Sequence, residues 1–349
     1  MMKPIRVLVV DDSATMRRLI TMRLRSDLRI EVVGEASDAA EARAAISSLS
    51  PDVLTLDVEM PGQSGLDFLR ELMRLRPLPV VMVSSETQKG SAAAIEALCR
   101  GAVECVGKPR MGEAANAFAD LPTLVVGASS ANLRKRGPAP AGPIAMPARP
   151  FRWNNKIVLI GSSTGGVDAL ETIISGMPAN CPPMLITQHM PASFLASFAQ
   201  RMNMRYAPHV VLAENNAPIV QGTIQLAPGG DHHLAMMPGL RPRAALIASE
   251  KVSSHRPSVD VLFDSALGMA ERIVAAILTG MGADGALGML NLRRAGATCL
   301  AQDEASSVVW GMPRMAWCNG GAEKLVPLNG MAAELLAATE RGLRGSRTP

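Results

Sequence analysis

Three short stretches of this chain carry side chains suited to hydrolysis. Gly161-Ser162-Ser163-Thr164-Gly165-Gly166 offers hydroxyls in a glycine-rich turn, Gln188-His189-Met190-Pro191 an imidazole, and Gly280-Met281-Gly282-Ala283-Asp284-Gly285 a carboxylate. Cleaving an ester or amide at neutral pH needs a nucleophile, a base to take its proton, a group that fixes the base's tautomer, and donors for the developing oxyanion. In that reading Ser163 is the nucleophile, with Thr164 beside it in support, His189 is the base and then the acid, and Asp284 orients the imidazole. Backbone N–H groups near Met281 and in the 164–166 turn are the oxyanion donors, because a strand that stops in such a turn leaves N–H groups unpaired. Spacing alone leaves other readings open. The hydroxyls of Ser162, Ser163 and Thr164 also suit a capped turn or an anion-binding loop. His232, His233 and His255 also suit a cleft, whereas His209 has no neighbouring chemistry. Asp284 suits equally the cap of a helix starting near Gly285.

A second constellation lies nearer the N-terminus: Asp11-Asp12, Asp57, Ser84 and Lys108-Pro109. Carboxylates gathered in an oxygen-only pocket suit Mg²⁺. Asp57 is the natural nucleophile toward a phosphoryl group, with Ser84 and Lys108 to bind its oxygens, and Asp11, Asp12 and Asp57 to hold the metal. Either Asp, or Ser13, also suits a helix cap.

Both sets must be positioned by strand ends. Apolar runs at Ile5–Val10, Val53–Leu56 and Val80–Val83 each stop at one of the N-terminal polar residues, and helix-like stretches lie between them. From Lys156 the alternation resumes, with strands expected near 156–160, 184–187, 223–227, 245–248, 273–279 and 297–301 and a polar turn at 227–233. Alternating strands and helices imply parallel α/β layers, in which ligands gather at the carboxyl ends of the strands. Between the two halves, Arg134-Lys135-Arg136-Gly137-Pro138-Ala139-Pro140 disfavours helix and sheet and reads as a basic linker. The expected division is therefore residues 1–125, a Pro/Gly-rich basic linker at 126–152, and a catalytic domain at 153–345.

Composition narrows the class. A chain of 349 residues that is 48% hydrophobic can build two sizeable cores. A net charge of +4 with only 3% aromatic residues argues against nucleic acid as the partner. No apolar run reaches the ~20 residues of a membrane helix, and Val7–Val10 is too short for a signal peptide, so a cytoplasmic location without membrane insertion is expected. Five scattered cysteines suggest neither a disulfide framework nor a zinc site.

Residues 5 to about 125 resemble a response-regulator receiver domain, on Asp11-Asp12, Asp57, Ser84 and Lys108-Pro109. That resemblance implies a flavodoxin-like five-stranded parallel sheet, Mg²⁺-dependent phosphorylation of Asp57, and a chemotaxis histidine kinase as phosphodonor in a two-component system. Cys105 departs from the pattern, standing where receivers usually carry an aromatic switch residue. Residues from about 155 to 340 resemble the catalytic domain of the chemotaxis protein-glutamate methylesterase family, CheB. The carrying motifs are the three hydrolytic stretches together with Ala227-Pro228-Gly229-Gly230, His255-Arg256-Pro257-Ser258-Val259-Asp260 and Ala301-Gln302-Asp303-Glu304-Ala305-Ser306. The resemblance places the triad on Ser163, His189 and Asp284 and the oxyanion donor on Met281, with Ser162 in place of the usual alanine. It implies a doubly wound, mostly parallel α/β hydrolytic domain that needs no cofactor. The implied reaction is hydrolysis of glutamate γ-methyl esters on methyl-accepting chemotaxis receptors, with receptor glutamine deamidation beside it. The two-domain order suggests that the unphosphorylated receiver covers the hydrolase cleft. Competing expectations are a domain that only binds receptors or a kinase, and a hydrolase serving a different signalling assembly. A DNA-binding output is disfavoured, since no terminal helix-turn-helix pattern is present.

Overall fold

A computed structural model describes residues 3–85, 88–109, 118–133 and 151–341. It has two compact units, one carrying a five-stranded sheet and the other a seven-stranded sheet with a separate hairpin.

In the first unit the order is β1 (Ile5–Val10), α1 (Ala14–Leu24), β2 (Ile30–Ala36), α2 (Ala39–Leu49), β3 (Val53–Asp57), α3 (Gly65–Leu75), β4 (Val80–Ser84), α4 (Gln88–Cys99), β5 (Glu104–Gly107) and α5 (Leu121–Ser129). The sheet runs β2-β1-β3-β4-β5 and every pair is parallel. β3 is buried along its whole length, as a central strand covered on both faces must be, and Asp57 is its last residue. Local chemistry sets the helix starts: the Ser13, Asp38 and Ser64 side chains accept hydrogen bonds from the first N–H groups of α1, α2 and α3. α5 runs four residues beyond the boundary expected at 125. Pro122 is tolerated in its first turn, and Leu121, Val125 and Ala128 give it a buried stripe. The basic cluster from Arg134 lies outside the described residues.

The second unit runs β6 (Ile157–Ser162), α6 (Gly166–Ser175), β7 (Met184–Gln188), α7 (Ala192–Arg205), β8 (His209–Leu212), β9 (Thr223–Leu226), β10 (His232–Met237), β11 (Arg243–Ala248), α8 (Val259–Asp264), β12 (Ile273–Ile277), α9 (Ala286–Arg294), β13 (Thr298–Gln302), α10 (Met312–Cys318), β14 (Lys324–Val326) and α11 (Leu328–Thr339). Its main sheet has the order β14-β13-β12-β6-β7-β9-β8, all parallel. The chain winds to one side of β6 through β7 and to the other through β12. The switch point of the sheet is therefore at β6, where a doubly wound fold opens its binding crevice.

Two strand expectations need correction. The run at 245–248 belongs to β11, which pairs antiparallel with β10 outside the main sheet, and part of the expected polar turn, from His232, is strand. Pro238 to Pro242 is too short a connection for a parallel crossover, so the two segments can only fold back as a hairpin. β10, His-His-Leu-Ala-Met-Met, carries no β-branched residue and gives little strand signal. Beneath the sheet, Phe263, Leu262, Leu185, Ile273 and Met289 form part of one buried core. Each such side chain contributes about 1.5–3 kcal/mol by leaving water.

Candidate functional site

β12, β6 and β7 are neighbours, and their register brings the hydrolytic stretches together. Ser162 pairs with Gln188 and Gly161 with Ile277, so Ser163 and His189 leave adjacent strands side by side with the loop after β12 beyond them. Backbone bonds hold the three exits together: His189 N–H donates to Ser162 O at 3.1 Å, Ser163 N–H to Thr279 O at 3.1 Å, and Leu278 N–H to Gly161 O at 2.9 Å. Thr164 is buried, and its carbonyl accepts the Thr279 hydroxyl at 2.9 Å, which ties the glycine-rich turn to the end of β12.

The two adjacent serines have different surroundings. Ser162 is fully buried, and its hydroxyl donates to Gln188 Oε1 at 2.6 Å. The amide nitrogen of Gln188 then donates to the carbonyls of Ser163 at 3.0 Å and His189 at 3.1 Å, clamping the two chemistry-bearing residues from behind. This network assigns the amide's orientation. Gly166, the first residue of α6, makes room for the clamp, since a Cβ there would lie 2.1 Å from Gln188 Oε1. Ser163 keeps 8% of its surface exposed, and its hydroxyl makes no hydrogen bond among the described residues.

His189 Nε2 lies 2.8 Å from Asp284 Oδ2, with the imidazole side chain 6% exposed. Nδ1 is buried and has no hydrogen-bond partner among the described residues. With Nε2–H donating to the carboxylate, Nδ1 carries the lone pair that a general base needs. Asp284 also accepts Ser258 Oγ–H at 2.7 Å, Val259 N–H at 2.7 Å and Asp260 N–H at 3.1 Å. It therefore sits on the unpaired N–H groups at the start of α8 and does not cap α9. Burial pushes the Asp284 carboxyl up, but the hydrogen bond and charge of His189, with the bonds from Val259 and Ser258, bring it down to about 2. Burial and the nearby charge of Asp284 raise Asp260 instead, against its bond from Gly288.

The remaining histidines separate cleanly. His233, expected as a cleft group, is fully buried: Nε2 bonds Glu250 O at 2.9 Å and Nδ1 accepts Ser258 N–H at 3.0 Å. It holds up Ser258, which in turn holds Asp284. His255 stacks on the His189 ring. The His209 ring bonds Asn203, away from the other histidines. The sequence reading left Gln188 and Ser258 without roles and gave His233 a place in the cleft instead of beneath Ser258. Ser258 has a local signal as the residue before α8, but its hydroxyl turns away from its own helix to reach Asp284, which no local pattern encodes.

Met281 is half-buried, and its N–H donates to no protein acceptor among the described residues. Gly280 beside it is pinned through its carbonyl, which accepts N–H groups from Gly311 at 3.1 Å and Met312 at 2.8 Å. A Cβ at Gly311 would lie 2.6 Å from that carbonyl, so the approach needs glycine.

At the corresponding edge of the first sheet, Asp11, Asp12 and Asp57 place carboxylate oxygens within 4.8 Å of one another. Lys108 Nζ lies 2.8 Å from Asp57 and 3.1 Å from Asp11. Its backbone N–H donates to Ser84 O at 2.7 Å, which places the buried Ser84 beside the lysine. Burial pushes Asp57 up to about 6, its hydrogen bond to Lys108 pulls the other way, and the charge of Asp11 adds to the rise. Hard oxygen donors, two of them buried and one exposed to solvent, fit a hydrated Mg²⁺ ion. Cys105, the departure from the receiver pattern, is buried in β5 opposite Met82.

Comparison with known proteins covers both units. A family model described as CheB methylesterase matches residues 158–335, and one described as response regulator receiver domain matches residues 7–117. A protein-glutamate methylesterase/protein-glutamine glutaminase of Rhizobium johnstonii is 50% identical over 347 residues, covering 99% of this chain and 100% of that protein. One of the same name from Caulobacter vibrioides is 50% identical over 339 residues, 96% of this chain and 98% of that protein. Among solved structures, the Thermotoga maritima CheB methylesterase catalytic domain superposes with a TM-score of 0.51 at 35% identity, covering 53% of this chain and 98% of that one.

Proposed function

The chain belongs to the CheB methylesterase family, and we propose that its protein-glutamate methylesterase and protein-glutamine glutaminase activity is carried by Ser163, His189 and Asp284 under control of phosphorylation at Asp57. One observation carries the assignment: the 2.8 Å contact of His189 Nε2 with Asp284 leaves Nδ1 free on the strand exit next to Ser163.

Ser163 Oγ attacks the carbonyl carbon of a glutamate γ-methyl ester while His189 Nδ1 takes its proton. Asp284 keeps the proton on Nε2 and stabilises the imidazolium. The oxyanion accepts the Met281 N–H, with Thr164 supporting the turn; losing one such donor typically costs ~3–4 kcal/mol of barrier stabilisation. As the intermediate collapses, the C–O bond to methanol breaks and His189 returns its proton to the leaving oxygen. Water, deprotonated by the same Nδ1, then attacks the acyl-enzyme and releases glutamate and Ser163. With a glutamine substrate the leaving group is ammonia, and none of these steps calls on a metal.

In the receiver, Asp57 attacks a phosphoryl group delivered by a chemotaxis histidine kinase and becomes an aspartyl phosphate. Ser84 and Lys108 bind the phosphoryl oxygens, and Asp11, Asp12 and Asp57 would hold Mg²⁺, which supplies charge neutralisation as the anion arrives. The substrates are methyl-accepting receptors at the membrane. Among the described residues no helix is long and apolar enough to cross a membrane, and the enzyme reaches its substrate from the cytoplasmic side.

Methanol release from methylated receptor membranes tests both parts. The full chain should release methanol, Ser163→Ala should not, and acetyl phosphate with Mg²⁺ should accelerate the wild type. Release that survives Ser163→Ala would move the nucleophile elsewhere, and release indifferent to acetyl phosphate would remove the receiver's control.

A further inference from the structure

His255 is used by no step above, yet its ring lies against the base. The His189 and His255 centroids are 3.7 Å apart with the planes only 8° from parallel. We propose that His255 is a positioning residue for the His189 imidazole, a face-on stop that holds the ring with Nε2 on Asp284 and Nδ1 toward Ser163. The proposal rests on the triad reading.

The chain fixes His255 from both sides. It ends a tight turn in which Val252 N–H donates to His255 O at 3.1 Å and His255 N–H to Val252 O at 2.9 Å. The two central residues, Ser253 at φ 51° and Ser254 at φ 67°, are both in the left-handed region that glycine or asparagine usually fills. Non-glycine residues persist there only where the surroundings over-determine them. Ser253 Oγ–H also donates to Asp260 Oδ2 at 3.4 Å. On the other side, Arg256 donates to Gly230 O at 2.8 Å, Ser249 O at 2.8 Å and Asp231 Oδ1 at 2.7 Å. The ring between these anchors has little freedom.

An imidazole held by one hydrogen bond can still turn about its own side-chain bond. A ring stacked at this separation removes that motion, because the moving edge of His189 would enter the face of His255. The same face favours the transition state, since His189 becomes cationic there and an aromatic face attracts a cation. Both effects act on the chemical step and neither on substrate affinity.

The test uses the full chain and methylated receptor membranes, with wild type and Ser163→Ala as controls and His255→Ala, His255→Phe and His255→Tyr as variants. His255→Ala should lower kcat about tenfold with KM changed by less than about twofold, the signature of a group acting in the transition state. The aromatic variants, which keep a face but no imidazole, should recover kcat to within about threefold of wild type. Full activity in His255→Ala, a loss expressed in KM, or aromatic variants no better than alanine would overturn the proposal. Failure of the wild type to release methanol in a Ser163-dependent way would instead overturn the triad reading beneath it.

Discussion

Asp57 and Asp284 make a controlled pair. One ends a parallel strand and the other lies in the loop after one, and each is 2% exposed. Burial pushes both carboxyls up, yet one stands at about 6 and the other is brought down to about 2. The difference lies in what faces them. Asp57 shares its pocket with Asp11 and has one lysine between two carboxylates, whereas Asp284 accepts from His189, Ser258 and two N–H groups at the start of α8. Desolvation is common to both sites, so donor count and neighbouring charge decide the outcome. Each result suits the work proposed for it. A carboxylate crowded by like charge is completed by a cation and an incoming phosphoryl group, whereas one saturated with donors stays ionised behind an imidazole.

Four substitutions break or sharpen this contrast. Asp284→Asn should have the largest effect, because the amide can no longer hold the proton on Nε2 and stabilise the imidazolium; kcat for methanol release should fall roughly 10⁴-fold. Gly166→Ala strikes the Gln188 clamp behind the same site. Because its Cβ would fall 2.1 Å from Gln188 Oε1, the Ser163 and His189 carbonyls lose their common donor, and a drop of about 10²-fold in kcat is expected.

Asp57→Asn probes the opposite electrostatics and should stabilise the receiver while abolishing its response to acetyl phosphate. An acid raised to about 6 in the fold binds its proton more tightly than in the unfolded chain, so its favourable contribution is complete below about pH 4 and lost as pH rises through 6. In EDTA at pH 8 denaturant unfolding should therefore show a gain of about 1–3 kcal/mol for Asp57→Asn, vanishing at pH 4. Asp284 has the opposite sign. Its contribution is present above about pH 4 and is lost as pH falls toward 2, so that window should destabilise the hydrolase core. The smallest effect is expected from Ser162→Ala. It removes one hydrogen bond that orients Gln188 but leaves both clamp bonds possible, so stability should drop by about 0.5–1.5 kcal/mol and kcat by no more than severalfold.

Much of the fold was legible. Apolar runs ending in Asp57, in Ser84 or in the 161–166 turn named strands and the polar residues at their ends, because parallel strands buried on both faces read as continuous apolar runs. β10 was not, since its Leu, Ala and Met residues pack in a hairpin whose pairing comes from Pro238 to Pro242 and not from strand propensity.

For the site, the amino-acid sequence by itself determined which residue types end which strands, since that information is local to each motif. Only tertiary structure decided how they are used. It committed Ser162 to Gln188 and left the Ser163 hydroxyl without a hydrogen bond among the described residues, set Asp284 on a helix that precedes it in the chain, buried His233 beneath Ser258, and laid His255 on His189. Each of these contacts joins segments remote in sequence, and its geometry is fixed by strand order and register, which no single stretch of residues contains.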